Sequence, residues 1–318
     1  MIYFHLQGAP DFARLPFLCG MLAKNGCEVG LNLDAKLSLD AERQAILADL
    51  PAQIVPGSRP ITWSGASQVE CLLRGIRHAL ASSSSWEYLA NLSFTDAVIR
   101  PIPDLQAFLR ASAARNVRNF VFNYGEKAPE FPPQQSGEAA SHPVYWRNDV
   151  RIFVQPVLKD LFANWEKSPL GIAALRPGLF LDEDGDKAEL RFRTLSPGER
   201  SDRQAFFQAG GYRHGRQWVM LHRSMCEWLV SSDLAHGIWQ VMQHVFVADE
   251  AFFQTACFHP ACPHRQETAD RSLHLADGTA QQIDDSWLER LQHGSGAFFA
   301  RKVDWARSPN LSNWLRGL

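Results

Sequence analysis

Residues 1–34 of the chain read MIYFHLQGAPDFARLPFLCGMLAKNGCEVGLNLD. Two short apolar runs, Ile2–Leu6 and Val29–Leu33, flank the stretch Ala13–Asn25, in which apolar residues recur at helical spacing. A strand, a helix and a second strand in this order predict a βαβ unit, and such units build parallel sheets. This opening therefore predicts an α/β fold.

The segments that follow continue the alternation of helix and strand. The sequence WSGASQVE, Trp63–Glu70, opens an amphipathic helix, with Ser67 and Glu70 at the spacing of a capping box. A strand is predicted over Trp86–Leu92 and ends near Asp96. Since ligands of such sheets gather at the carboxyl ends of the strands, this end is a candidate binding edge.

The second half of the chain is less regular. The segment Glu126–His142 is rich in Pro, Gln, Ser and Gly, which predicts a mobile loop that could cover a site. The pattern of Leu179–Thr194 predicts a hairpin, and the polar composition of Ser196–Gln208 predicts poor order. A strand is predicted over Gln217–Leu221, and a late helix is predicted to begin with Asp249 as its N-cap.

Composition limits the class of protein. The 318 residues are 46% hydrophobic and 21% charged, which is typical of a globular protein. The net charge of -2 argues against nonspecific binding of nucleic acid.

No apolar stretch approaches the ~20 residues of a membrane helix, so only peripheral membrane association is considered. Six irregularly spaced cysteines and no export signal predict a cytoplasmic protein. We predict one domain over residues 1–318. A nucleotide-binding α/β region spans residues 1–125, variable loops and a hairpin span residues 126–210, and an acceptor-binding, catalytic and diphosphate-binding region spans residues 211–318.

Four separated segments resemble, in the same order, motifs of one enzyme family. They are Trp63–Glu70, then Trp86–Asp96 (WEYLANLSFTD), then Gln217–Arg223 (QWVMLHR) with Asp249–Thr255 (DEAFFQT), and finally Phe298–Asp304 (FFARKVD). The chain is thereby identified as a distant, bacterial-type member of the family of core-2/I-branching N-acetylglucosaminyltransferases and peptide O-xylosyltransferases, glycosyltransferase family 14. The resemblance implies a GT-A-type fold, with a Rossmann-like mixed central sheet flanked by helices.

The resemblance also implies an activity. Enzymes of this kind transfer a sugar from a UDP-sugar to a glycan or glycolipid hydroxyl with inversion, and the donor is left open between UDP-GlcNAc and UDP-xylose. The match to the Asp-Glu-x-Phe-Phe-x-Thr motif makes Glu250 the expected general base. Lys302, with Arg301 and more loosely Arg271, is expected to neutralise the leaving diphosphate in place of a metal, so no cofactor is expected.

Other candidate residues each have an ordinary structural explanation beside the functional one. Asp34 and Asp96 follow strands, where a donor nucleotide would lie, although Asp is also common in turns and caps. Trp218 and Asp249 are assigned to the acceptor site, with core packing the competing role for Trp218. Glu250 would also suit the first turn of a helix without any catalytic role.

The chain departs from the family motifs at several positions. Phe94 replaces a Gly, Val98–Ile99 replaces a Pro-Leu pair, and Ala248 replaces a Pro. Where the family has His-x-Asp, this chain has Asn32 followed by Leu and Asp34. These differences motivate an alternative, a noncatalytic sugar- or nucleotide-binding protein that keeps the fold.

Two clusters suggest metal binding, and we assign neither. Asp182–Asp186 (DEDGD) contains Asp-x-Asp spacing, but it lies in a predicted hairpin turn, where Asp-Gly is a turn signal. A second cluster combines thiols and imidazoles that zinc could bind, at a spacing unlike that of known zinc sites: Cys257, His259, Cys262 and His264.

Overall fold

The computed structural model describes residues 1–127, 144–147, 150–154, 178–185, 187, 189–275, 283–294 and 296–317. The strands are β1 Ile2–Gly8, β2 Glu28–Leu33, β3 Gln53–Ile54, β4 Tyr88–Ser93, β5 Ala97–Val98, β6 Asn119–Lys127, β7 Val144–Arg147, β8 Val150–Phe153, β9 Leu179–Asp184, β10 Glu189–Thr194, β11 Tyr212–His222, β12 Thr268–Ala269, β13 His274–Leu275 and β14 Phe299–Ala300. The α-helices are α1 Leu15–Lys24, α2 Ala41–Ala48, α3 Ser67–Ser82, α4 Ile102–Ala113, α5 Pro197–Gly210, α6 Arg223–Ser231, α7 Asp233–Met242, α8 Phe252–Cys257, α9 Leu288–Gln292 and α10 Pro309–Leu315.

Seven strands form the central sheet in the order β3-β2-β1-β4-β11-β6-β12. The strands from β3 to β4 are mutually parallel, and β12 is parallel to β6. Strand β11 is antiparallel to both of its neighbours, β4 and β6. The predicted fold class, a mixed central sheet flanked by helices, is confirmed. The single-domain division remains a prediction.

The opening βαβ unit forms as the sequence predicts. The first six residues of β1 are buried, because β1 is an interior strand with covered faces, and this explains why apolar residues occupy consecutive positions in Ile2–Phe4 instead of alternating with polar ones. Helix α3 packs on the sheet through Val69, Leu72 and Ile76. Its Gly75 permits a close approach, since a Cβ at this position would overlap the ring of His5.

The predicted capping box of α3 is wrong. The helix begins at Ser67 itself, and the hydroxyl of Ser67 accepts a hydrogen bond of 2.8 Å from the main-chain nitrogen of Thr62. The main-chain nitrogen of Ser67 instead donates to Glu183 Oε2, at 2.9 Å, on strand β9. Glu70 forms an ion pair with Arg59. A carboxylate from a distant strand therefore caps the helix, which local spacing cannot predict.

The poor order predicted for Ser196–Gln208 is also wrong, because these residues form most of α5. Ser196 accepts from the main-chain nitrogen of Glu199, and the Glu199 side chain accepts in return from the nitrogen of Ser196. On the inner face, the buried Arg203 donates to the main-chain oxygen of Leu179 at 2.9 Å. The helix is stabilised by its cap, by these tertiary contacts and by Phe207, which packs in the core.

Two smaller sheets extend the fold. One has the order β7-β8-β10-β9, and its antiparallel pair β9–β10 is the predicted hairpin. The other has the order β13-β14-β5, in which Phe299 faces Val98 and Ala300 faces Ala97. This second sheet brings the motif that ends at Asp96 beside the C-terminal motif. The loop predicted over 126–142 lies almost wholly outside the described residues. Among those described, no helix is both long and apolar enough to cross a membrane.

Candidate active site

The candidate site lies where the parallel strands end. Asp34 directly follows β2, and Asp96 follows β4 after a turn of two residues. The main-chain nitrogen of Asp34 donates to the oxygen of Gly8, the last residue of β1. Strands β1, β2 and β4 therefore present their carboxyl ends together, which is the usual binding edge of such a sheet.

Asp34 mainly organises the turn in which it lies. Its Oδ1 accepts hydrogen bonds from the main-chain nitrogens of Lys36 at 2.9 Å and Ile61 at 3.2 Å. Its Oδ2 is 3.6 Å from Lys36 Nζ. These contacts join the loop after β2 to the loop before α3. They are the turn role that the sequence left open, and a donor contact of Asp34 remains a prediction.

Asp96 is buried and has several partners. Its carboxylate accepts from the main-chain nitrogen of Ser93 at 2.9 Å and from the Ser93 hydroxyl at 2.7 Å. Oδ1 also lies 3.7 Å from Arg301 Nε. Burial raises the pKa of Asp96, and the charges of Arg301 and Lys302 and the Ser93 hydrogen bonds offset part of that rise. Asp96 thus anchors the C-terminal cationic segment to the sheet edge.

Arg301 connects most of the predicted site residues. Its guanidinium lies 4.2 Å from the centroid of the Trp218 ring, a cation–π contact. Burial lowers the pKa of Arg301, while the nearby carboxylates of Asp96, Asp249 and Glu250 raise it. The structure therefore brings together residues from three of the four motifs that the sequence analysis selected.

The other two predicted cations differ in position. Lys302 is exposed, and its charge lies near enough to Asp96 to lower the pKa of that carboxyl. Arg271 is exposed as well; it donates to the oxygen of Gly296 at 3.3 Å, and its guanidinium lies 4.9 Å from the ring of Phe108. The structure thus groups Lys302 with Asp96 and Arg301, and it places Arg271 over Phe108. Diphosphate binding by Arg271 remains a prediction.

Asp249 and Glu250 lie in a short 3-10 helix, Ala248–Glu250, that precedes α8. The predicted N-cap role of Asp249 is wrong, because the residue that precedes α8 is Ala251. Asp249 is buried and Glu250 is partly exposed, so the two carboxylates occupy different environments. Val247, just before them, has a left-handed backbone with φ of 56°. This conformation is unusual for a β-branched residue and fixes the direction of the segment.

The remaining polar residues of the third motif hold β11 in place. Buried Gln254 donates to the main-chain oxygen of Arg216 at 2.6 Å. Thr255 donates to the oxygen of Arg213 at 3.1 Å and accepts from its nitrogen at 3.2 Å. Between these points β11 has an irregular register at Gly215. Helix α8 therefore links the Glu250 segment to the strand that carries Trp218.

Trp218 is only 4% exposed. Its ring contacts Arg301 as described, and the ring of His274 lies 5.5 Å away, centroid to centroid. His274 is itself buried, which lowers its pKa well below the ordinary value. Trp218 therefore takes the packing role that competed with acceptor binding, and a direct acceptor contact of this residue remains a prediction.

Several residues of the site were not identified from the sequence. His274 and Val247 lie outside the quoted motifs. Ser64 lies inside the first motif, but its residue type alone does not indicate a role in the site. Their roles depend on tertiary contacts: His274 packs against Trp218, and the main-chain nitrogen of Val247 donates to the oxygen of Ser64 at 3.0 Å. A left-handed valine gives no pattern that a sequence could reveal.

Within the portion of the chain that the structure describes, no three His, Cys, Asp or Glu side chains are grouped to hold a metal ion. In the acidic hairpin Glu183 binds Ser67, and Asp184 lies 3.3 Å from Lys187 Nζ. The thiols of Cys257 and Cys262 are buried, and burial raises the pKa of each. Asp186 lies outside the described residues. Independence of metal remains a prediction.

A comparison with known families matches part of the chain. Residues 33–131 match the family model described as Branch, Core-2/I-Branching enzyme. The matched region is 99 of the 318 residues, and over it the chain is similar to the Core-2/I-branching enzymes, which are glycosyltransferases. The resemblance stated from the motifs is thus confirmed for this region, which includes Asp34 and Asp96, whereas Glu250, Arg301 and Lys302 lie beyond it.

Two other comparisons add little to this partial match. No curated protein matches the chain. A solved structure, described as mannose-1-phosphate geranyltransferase from Thermus thermophilus, is 11% identical over 76% of this chain and 64% of that one, with a TM-score of 0.28. The chain thus spans less than two thirds of that protein. A similarity this low carries no argument about this protein.

Proposed function

We propose that this protein is an inverting glycosyltransferase that moves GlcNAc or xylose from a UDP-sugar to a hydroxyl of a glycan acceptor. The observation that carries the proposal is the convergence on Arg301. It lies 3.7 Å from a buried carboxylate at the strand edge, Asp96, and the charges of Asp249 and Glu250 act on its pKa. One site thus contains fixed cations for a leaving diphosphate and a carboxylate for an attacking hydroxyl.

Glu250 is the proposed base. In the reaction, the acceptor oxygen forms a bond to the anomeric carbon, the bond from that carbon to the diphosphate oxygen breaks, and the acceptor proton passes to the carboxylate. Glu250 is partly exposed, as a group that meets an acceptor must be, whereas its neighbour Asp249 is 4% exposed. A correctly placed base contributes ~10²- to 10⁴-fold in rate.

Arg301 and Lys302 are the proposed partners of the departing UDP. Arg301 is oriented by the ring of Trp218 and the carboxylate of Asp96, so it needs little reorganisation when negative charge develops. Lys302 follows it at an exposed position, where a phosphate could reach its ammonium group. Two fixed cations supply the charge that a metal supplies elsewhere, which supports a metal-independent reaction.

The first experiment measures donor binding. Thermal unfolding is followed with UDP, UDP-GlcNAc, UDP-xylose, and GDP- and CMP-sugars, each with and without EDTA. A ligand at 100 times its Kd stabilises the native state by ~2.7 kcal/mol, which shifts the midpoint measurably. Stabilisation by uridine nucleotides alone, unchanged by EDTA, is expected. A response that needs metal would contradict the role of Arg301 and Lys302.

The second experiment tests the base. Glu250→Gln keeps size and hydrogen bonding but cannot accept the proton. It is expected to bind UDP normally and to lose at least ~100-fold in transfer to a panel of glycans. Glu227→Gln, at an exposed ion pair with Arg223, is the matched control and should keep full activity. Unchanged transfer by Glu250→Gln would reject the assignment. UDP binding without transfer by the wild type would favour a noncatalytic binding protein.

The biological setting belongs to the same proposal. We place the reaction in surface polysaccharide synthesis in the cytoplasm, with peripheral membrane association where the acceptor is lipid-linked. Cell fractionation tests the location, and glycan analysis of a deletion strain tests the pathway.

A further inference from the structure

Strands β6 and β11 carry a row of aromatic and cationic side chains that the proposed chemistry does not use. Tyr124 lies in β6 and is 49% exposed, although β6 belongs to the central sheet. Its ring lies 5.1 Å from Phe122, edge to face, and 5.1 Å from His214 at an angle of 31°. His214 thus lies beside the ring of Tyr124, about half of which remains exposed to solvent.

The row continues from Tyr124 towards Arg301. The guanidinium of Arg216 lies 4.7 Å from the centroid of Phe122. Arg216 and Arg301 both lie close enough to His274 for their charges to lower its pKa. The ring of His274 packs on the ring of Trp218, and the guanidinium of Arg301 packs on the same indole. The row thus extends from the exposed tyrosine towards the group that contains Glu250.

The position of this row within the sheet separates it from the donor side. The sheet order is β3-β2-β1-β4-β11-β6-β12, with Asp34 after β2 and Asp96 after β4. The nucleotide is expected over the parallel half, β3 to β4, as in other sheets of this type. Because β11 is antiparallel to β4, its first residues lie at the same edge as the end of β4. Tyr124 is thus beyond the catalytic group, on the side away from the nucleotide.

The backbone under the row is fixed. Gln254, on α8, donates to the main-chain oxygens of Arg216 at 2.6 Å and Phe122 at 3.4 Å. Gly215 faces Asn123 across the two strands, and a Cβ on it would overlap the oxygen of Phe122. The same helix follows the Glu250 segment directly. The aromatic row is therefore held at a constant offset from the proposed base, as a binding subsite requires.

We propose that Tyr124, with Phe122 and Arg216, forms an acceptor subsite that stacks against a second sugar of an oligosaccharide acceptor, a proposal that rests on the proposed function. The apolar C–H face of a pyranose packs on the exposed part of the tyrosine ring, and its hydroxyls meet the phenol and the guanidinium. Strand β6 lies two strand spacings from β4, the strand that leads to Asp96, which is roughly 10 Å at ~4.8 Å per spacing and is longer than one sugar. The acceptor is accordingly a di- or trisaccharide unit rather than a single sugar.

The test compares binding of sugars of increasing length. The probes are N-acetylglucosamine, galactose and xylose with their β-linked di- and trisaccharides, measured by calorimetry and by saturation-transfer NMR. For at least one series, the wild-type protein is expected to bind the disaccharide roughly fivefold to tenfold more tightly than the monosaccharide. Tyr124→Ala should lose this gain and Tyr124→Phe should keep it. Phe17→Ala, which removes the 41% exposed aromatic residue of α1, should leave the gain unchanged.

Three results would overturn the subsite. They are an equal affinity of the wild type for monosaccharides and longer sugars, a full gain in Tyr124→Ala, and a weaker affinity of Tyr124→Ala for UDP, which would place the nucleotide on this ring instead. Thermal unfolding of each variant checks that it folds. These binding measurements need no turnover, so a wild type that binds oligosaccharides through Tyr124 but transfers no sugar would defeat the proposed function alone.

Discussion

The main-chain nitrogen of Val247 donates a hydrogen bond of 3.0 Å to the main-chain oxygen of Ser64, and both residues have a left-handed backbone. Their φ angles are 56° and 69°, respectively. The neighbouring rings of Phe246 and Trp63 meet edge to face at 6.0 Å. Two strained turns thus join the entry of α3 to the segment that carries Asp249 and Glu250. Such strain persists only where the surrounding structure holds it.

Ser64→Gly is expected to stabilise the protein by about 1 kcal/mol. Glycine adopts a left-handed backbone without steric cost, and the substitution also removes a buried hydroxyl that has no hydrogen-bond partner among the described residues. Urea unfolding measures the change. Ser64→Ala is the matched control, because it removes the hydroxyl but keeps the strain. If alanine stabilised as much as glycine, backbone strain would not be the cause.

Gly215→Ala is expected to cost at least about 2 kcal/mol of stability. The added Cβ would overlap the main-chain oxygen of Phe122, which belongs to the central sheet and cannot move freely. Gly237 offers the opposite case, since it lies inside α7 with open space around a Cβ. Gly237→Ala should stabilise by ~0.5–1 kcal/mol through helix propensity. A neutral Gly215→Ala in urea unfolding would show that the β11 irregularity adapts.

Asp96 and Arg301 should show strong energetic coupling. Asp96→Ala removes the buried 3.7 Å partner of the partly buried Arg301, and loss of one member of such a pair costs up to about 3 kcal/mol. The double variant Asp96→Ala with Arg301→Met removes both charges and should lose less than the sum of the single variants, by ~1–3 kcal/mol. A double-mutant cycle from denaturant unfolding gives the value. Additive losses would mean that the pair contributes no stability.

The free energy of unfolding should fall as the pH is lowered, over a pH range that is set partly by His5. Burial lowers the pKa of His5 to about 3, and the charges of Arg74 and His78 act in the same direction. Between its ordinary pKa of 6.5 and about 3, the unfolded chain binds a proton that the folded chain refuses. The free energy of unfolding therefore declines as the pH falls through this range, by at most ~1.4 kcal/mol per pH unit for this residue.

The measurement compares urea unfolding of the wild type and His5→Gln at pH 7, 6 and 5. The variant should have the shallower dependence on pH, whatever its absolute stability. His274 contributes in the same direction, because burial also lowers its pKa, so some slope remains in the variant. Identical slopes would show that His5 can be protonated in the folded protein.

The parallel half of the fold was predictable because its signals are local. The apolar runs of β1 and β2, the amphipathic face of α3 and the strand before Asp96 all appear within short windows of sequence. The errors arose where distant residues decide. Glu183 caps α3 from another sheet, so the local Ser67–Glu70 spacing predicted the wrong cap. Helix α5 is held by its cap and by Arg203, so its polar composition wrongly predicted poor order.

For the site, the motifs selected residues that the structure brings together. Asp96, Asp249, Glu250 and Arg301 are far apart in the chain and act on one another through their charges in the fold. The sequence could not show that Trp218 lies under Arg301, or that Tyr124 is exposed beside Phe122 and His214. Burial and ring stacking are properties of side chains that meet only after the strands pair.

By itself, the sequence determined the class of fold, the strand-end position of Asp34 and Asp96, and the family motifs, because periodicity and motif spacing are written along the chain. Only the tertiary structure decided which charges share a site. The pairing of β5 with β14 joins Asp96 to Arg301, and the contact of Ser64 with Val247 aligns the Glu250 segment. The reason is physical: Coulomb interactions and burial depend on distance in space, which separation along the chain does not fix.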